Sequence, residues 1–193
     1  MAASLKSLNG VVPGETRTSF LTVFLSSWLA VWLYAALHNQ YLIRIAPEHF
    51  TVWHYRIPFT QNHTLLGVLY AGGASISPGG ILGALLYVAG RLFNRPRLSA
   101  RKLVLSTAWV CLAVETCALA TGLIVWRTHR GIYPADWYPD QSLGLLITQT
   151  IQITAYSSGA VFSIILLIWT WHRRKNIQAD DEVSGGGPVL RLP

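Results

Sequence analysis

Glu115 is the one carboxylate set inside a long apolar segment, "LVLSTAWVCLAVETCALATGLIVW". A bare carboxylate in a bilayer costs roughly 3 kcal/mol or more, so such a residue should face protein or water and is a candidate for function. Its partners by residue type lie in the last apolar segment. There Gln149, Gln152 and Tyr156 recur every three to four residues and would share one helical face. The expected pairing is Glu115 with Gln152 or Tyr156. That pairing would act either as polar glue between helices or as a site that handles protons or ions.

A second set of reactive side chains lies in "IRIAPEHFTVWHYRIP", residues 43–58, which holds Glu48, His49 and His54 between Pro47 and Pro58. With His38 and His63 nearby, imidazole and carboxylate together would suit zinc or iron. The spacing argues against it. His49 and His54 are five apart, which puts them on different faces of a helix and on opposite faces of a strand. Only Glu48 and His54 would share a strand face. No HxxxH or HxxEH pattern occurs, and GxSxG, Walker and DxxxD signatures are missing too. No metal, cofactor or catalytic residue is expected, and the histidines read as polar tips of amphipathic side chains. Asn62-His63-Thr64 is a formal glycosylation sequon.

The elements that must hold these residues are set by composition. Hydrophobic residues make up 52% of 193 and charged residues 12%, with a mean hydropathy of +0.39. Four stretches, about 19–38, 64–93, 103–126 and 142–171, have the length and low charge of bilayer-spanning helices. The fold expected over residues 19–172 is therefore all-α, a polytopic membrane domain of four transmembrane helices. Residues 1–18 and 173–193 read as disordered cytoplasmic segments. The first loop, 39–63, reads as a structured extracytoplasmic loop, with "YLIRI" as a short strand. The first span reads as an uncleaved signal anchor.

Pro78 interrupts the second span within "SISPGG" and is flanked by glycines. The proline removes a backbone donor, so a kink is expected. Gly79 and Gly83 stand at the four-residue spacing that lets helix backbones approach closely. The same feature would serve as a hinge in a transporter. Cys111 and Cys117, six residues apart in the third span, fall on different helical faces and read as small apolar fillers.

The net charge of +7 is a matter of location. The N-terminus, the second loop ("NRPRLSARK" with Arg91 just before it) and the tail carry eleven of the basic residues, against four in the other two loops. The positive-inside rule then puts both termini in the cytoplasm. Anionic headgroups at that face are the expected partner, and nucleic acid is not.

"LHNQYLIRIAPEHFT", the glycine-interrupted second span, "TAYSSGAVF" and "WTWHRRK" resemble an uncharacterised family of small bacterial four-span membrane proteins. A PEYFT-like segment follows the first helix in that family, and the likeness covers most of residues 28–175. Its members often carry an acidic residue where Asn39 stands, tyrosine at His49 and histidine near Gln152. The resemblance implies a multi-pass protein of the bacterial inner membrane and lends no activity. The function expected is a non-catalytic structural or interaction component, with a homo-oligomer or another membrane protein as partner. The alternative is a small oligomeric transporter or channel subunit handling protons or ions through Glu115 and the polar face of the fourth span. A further alternative is a metal-binding membrane enzyme at the outer face.

Overall fold

The computed structural model describes residues 13–93 and 97–185. Within them the chain is helical: α1 (Pro13–Ile45), the short α2 (Pro47–Thr51), α3 (His63–Arg91), α4 (Ala100–Thr128) and α5 (Leu143–Gly185). A 3-10 turn, Ala135–Trp137, lies between the last two. Four of these helices are long and apolar enough to cross a membrane.

Residue chemistry sets the helix ends. Asn62 caps α3, its side-chain oxygen accepting from Leu65 N at 3.1 Å, and Ser99 caps α4 through Lys102 N at 3.3 Å. Pro47 starts α2, where the missing N–H costs nothing. His129 ends α4 in the left-handed conformation, φ 54°. The C-terminus of α3 is completed from another helix. Arg174 is fully buried and donates from both Nη atoms, to Ala89 O and Leu92 O, each at 2.6 Å.

Three expectations are corrected. "YLIRI" is not a strand: α1 runs unbroken to Ile45, because its polar residues after Leu37 find partners inside the bundle. Asn39 Nδ2 donates to Gly67 O at 3.0 Å, for example. At the ends, residues 13–18 belong to α1 and residues 173–185 to α5, where composition predicted no structure. The remainder of those terminal segments lies outside the described residues.

The helices pair α1 with α3 and α4 with α5; α1 also packs on α4, whereas α3 and α5 meet sparsely. The α1–α3 contact is close because of glycine. A Cβ at Gly83 would come within 2.9 Å of the Phe24 backbone, and one at Gly79 within 3.0 Å of Trp28 Cα. The close approach expected at this pair is present. Pro78 sits inside α3, with assigned helix on both sides of it. Two apolar clusters fill the interior. One gathers Leu42, Phe50, Tyr70, Val114 and Ile151, and the other Val23, Leu86, Leu103 and Leu166.

Candidate functional site

The polar centre of the bundle joins α1 to α4. Because α1 continues past Leu37, Tyr34, His38 and Tyr41 fall three to four residues apart and face the same way. Glu115 is met there on both oxygens: His38 Nδ1 lies 2.7 Å from Oε2, and Tyr41 donates to Oε1 at 2.9 Å. The Tyr41 hydroxyl is also 2.9 Å from His38 Nδ1, so the three groups close a triangle. Tyr34 stands behind it, its hydroxyl 3.4 Å from the same nitrogen.

The pairing predicted from the polar face of the last span is therefore corrected. Glu115 takes its partners from α1, and Gln152 and Tyr156 bond elsewhere. Gln152 Oε1 accepts from His49 Nε2 on α2, and Gln152 Nε2 donates to Tyr156 at 3.2 Å. Gln149 donates to Trp137 O at 3.2 Å and belongs to the loop.

Around α2 the backbone brings together what the spacing rule kept apart. The helix stops at Thr51, and the chain turns back so that His54 Nδ1 donates to His49 O at 2.7 Å. The two imidazoles lie 4.7 Å apart, edge to face. His54 also stacks on Phe50 at 5.5 Å and meets Tyr70 at 5.2 Å. Tyr70 fastens this turn from α3, donating to Tyr55 O at 2.6 Å and lying 3.0 Å from Phe50 O. Burial and the neighbouring His54 push the His49 imidazole down to about 4. Glu48 makes no part of this cluster. Among the described residues no group of three His, Cys, Asp or Glu is placed to hold a metal ion.

Both assemblies border one cavity of about 840 Å³. Its walls come from all four long helices and from residues 50–55. His38, His54, Gln152 and Tyr156 lie at one end, and Leu85 and Leu167 at the other. Small residues make the space: Ala155, Gly159 and Ser163 recur at four-residue spacing on α5, opposite Gly73, Ala74 and Pro78 on α3. Exposed liners, Ile81 on α3 with Tyr156 and Ile164 on α5, mark a lateral opening between those two helices. Among the described residues no lysine or arginine lines it.

His38 is only 6% exposed and forms part of this wall. Its Nδ1 is engaged by Glu115, while its buried Nε2 has no hydrogen-bond partner among the described residues. Sequence reading missed Tyr34 and Tyr41 and set His38 at the outer end of the first span, as a candidate for the outer face. The signal that could have found them is the spacing 34–38–41, visible once α1 is taken past His38. Comparison with known proteins gives no match: no family model, no curated protein and no solved structure aligns with this chain.

Proposed function

We propose that this chain is a non-catalytic component of the bacterial inner membrane that binds an apolar, membrane-dissolved molecule in the cleft between α3 and α5. The observation that carries the reading is the cavity of about 840 Å³, within the range of small-molecule sites, headed by a buried imidazole with an unused nitrogen. Its far half, bordered by Ile81, Leu82, Leu85, Ile164 and Leu167, offers no chain of polar groups. That favours a hydrocarbon occupant over a water-filled ion path, which would need polar lining throughout.

Length also suits a lipid as occupant. The walls run fifteen residues along α3 (Tyr70 to Leu85) and along α5 (Gln152 to Leu167), about 22 Å of helix, long enough to take an extended hydrocarbon chain.

Charge supports the orientation. Lys102 and Arg173 flank a smaller hollow of about 250 Å³ with Trp109 and Trp169, at the end opposite α2. The Arg173 guanidinium lies 4.9 Å from the Trp169 ring. Such basic–aromatic borders suit anionic headgroups at a cytoplasmic face, with both termini on that side. The likeness to the small bacterial family with the PEYFT-like segment supports the inner-membrane location.

The test is photolabelling of the full chain in phosphatidylcholine nanodiscs with a hexadecyl diazirine. Labelling should concentrate on cavity walls such as Pro78, Ser163 and Leu167, and Gly159→Phe should abolish it. Even labelling over the outward leucines Leu25, Leu29 and Leu33 would overturn the reading. A reporter fused after Pro193 that is active only outside the cytoplasm would overturn the orientation.

A further inference from the structure

At the end of the bundle opposite α2, cations and aromatic rings stand in the same order on two helices. On α4, Lys102 and Trp109 are seven residues apart and share a face. On α5, Trp169 and Arg173 are four apart and do the same. The two faces meet across a hollow of about 250 Å³. In each helix the cation stands nearer the end of the span and the tryptophan lies deeper, by about 6 Å on α5 and about 10 Å on α4. Charge outside and rings inside is the order of polarity along a phospholipid.

Both cations are exposed, and neither has a carboxylate partner among the described residues, where the one ion pair is His38 with Glu115. Lys102 sits in the first turn of α4, where the helix dipole disfavours a cation and no acidic residue offsets it. The Arg173 guanidinium is held 4.9 Å from the Trp169 ring, and no hydrogen bond among the described residues takes up its N–H donors. The inner walls are open as well. Trp109 is 69% exposed and Trp169 48%, beside Leu105 at 50%. These apolar surfaces lie on two of the candidate spans, so the hollow opens sideways to the acyl region of a bilayer.

We infer that this hollow is a binding site for one anionic phospholipid, separate from the α3–α5 cleft and resting only on the membrane orientation proposed above. The phosphate lies between Lys102 and Arg173, and the glycerol and upper acyl chain lie against Trp109, Trp169 and Leu105. A free phosphate would use the cations and leave the exposed rings without a role. A zwitterionic headgroup would bring an ammonium of its own toward two uncompensated cations. A headgroup of net negative charge avoids both faults.

The experiment is native mass spectrometry of the full chain released from detergent, with phosphatidylglycerol or phosphatidylcholine of identical acyl chains as the probe. One phosphatidylglycerol should be retained per chain, about tenfold or more tightly than phosphatidylcholine. Lys102→Gln and Arg173→Gln should each cut that preference about fivefold, the effect of one cation near an anionic headgroup. Both side chains are exposed, so these variants keep the fold. Arg101→Gln removes the neighbouring charge, which lies outside the hollow, and should leave the preference unchanged. An equal loss in Arg101→Gln would reveal a general basic surface and overturn the site, as would equal retention of the two lipids. Displacement of phosphatidylglycerol by excess inorganic phosphate would assign the hollow to a free anion and overturn the lipid. Diazirine labelling of the cleft should be the same in the Lys102 and Arg173 variants as in wild type, so failure here and failure of the cleft are read separately.

Discussion

His38 on α1 and Glu115 on α4 are separated by 77 residues in sequence and by 2.7 Å in space. Their contact ties the α1–α3 pair to the α4–α5 pair at the level of the polar centre. Each member also answers a need of the other. The carboxylate gains a donor it cannot do without in an apolar interior, and the imidazole gains a fixed ring orientation.

Glu115→Gln keeps the shape and an acceptor for Tyr41 but weakens a charge-assisted bond to a neutral one. It should fold and lose about 1 kcal/mol. Glu115→Leu strands His38 Nδ1 and the Tyr41 hydroxyl and should cost roughly 2–4 kcal/mol. Thermal unfolding in detergent, followed by helical circular dichroism, would check both. Equal midpoints for Leu and wild type would show that the triangle contributes nothing to the bundle.

Glycine at 83 and glycine at 159 should behave in opposite ways. A methyl at Gly83 meets the main chain of Phe24 at 2.9 Å, and main chain cannot swing aside. Gly83→Ala should destabilise by about 1–3 kcal/mol. At Gly159 the nearest atom to an added Cβ is Val114 Cγ2 at 3.9 Å, an ordinary contact. Gly159→Ala should be neutral or slightly stabilising. Paired denaturation curves would expose a reversal of this order.

Acid should loosen the α2 turn. His49 is 3% exposed, donates from Nε2 to Gln152, and has no partner for Nδ1 among the described residues. Its imidazole is held down to about 4, against 6.5 when free, by burial first and by His54 second. Between these values the unfolded chain binds more protons than the folded one, so stability falls as pH drops from about 6.5 toward 4 and is full above that window. The loss should amount to a few kcal/mol at most, on the order of 1–3. His49→Gln should flatten the profile across that interval, and an unchanged slope would exclude His49 as its source.

Arg174→Met should uncover the carbonyls of Ala89 and Leu92 and cost about 2–5 kcal/mol. Arg174→Lys should recover part of that loss, because a lysine cannot fork to two acceptors. Proteolysis at the 92–99 connection would report the change. Equal resistance in Met and wild type would show that the cap is dispensable.

Much of the fold was legible because length and low charge are long-range properties of a run, insensitive to any one residue. The four helices follow from them, and the spacing of Gly79 and Gly83 gave a close helix contact without naming α1 as the partner. The polar centre was not legible for a related reason. His38, Asn39 and Gln40 end an apolar run, and a polar triplet there reads the same whether it enters water or turns inward. Only the facing groups, Gly67 O for Asn39 and Glu115 for His38, distinguish the two. With α1 taken to end early, Glu115 was matched to the next polar surface available, that of α5. The spacing of His49 and His54 misled differently. Helix and strand angles apply only while an element continues, and α2 stops between them.

Arg174 follows the last apolar run, yet it finishes a helix that leaves the ribosome some eighty residues earlier. During synthesis α3 is therefore made before the guanidinium that closes its end. A nascent chain interrupted before that point carries an incomplete terminus that the full-length product lacks. One side chain from the last helix thus decides whether the end of an earlier one is closed.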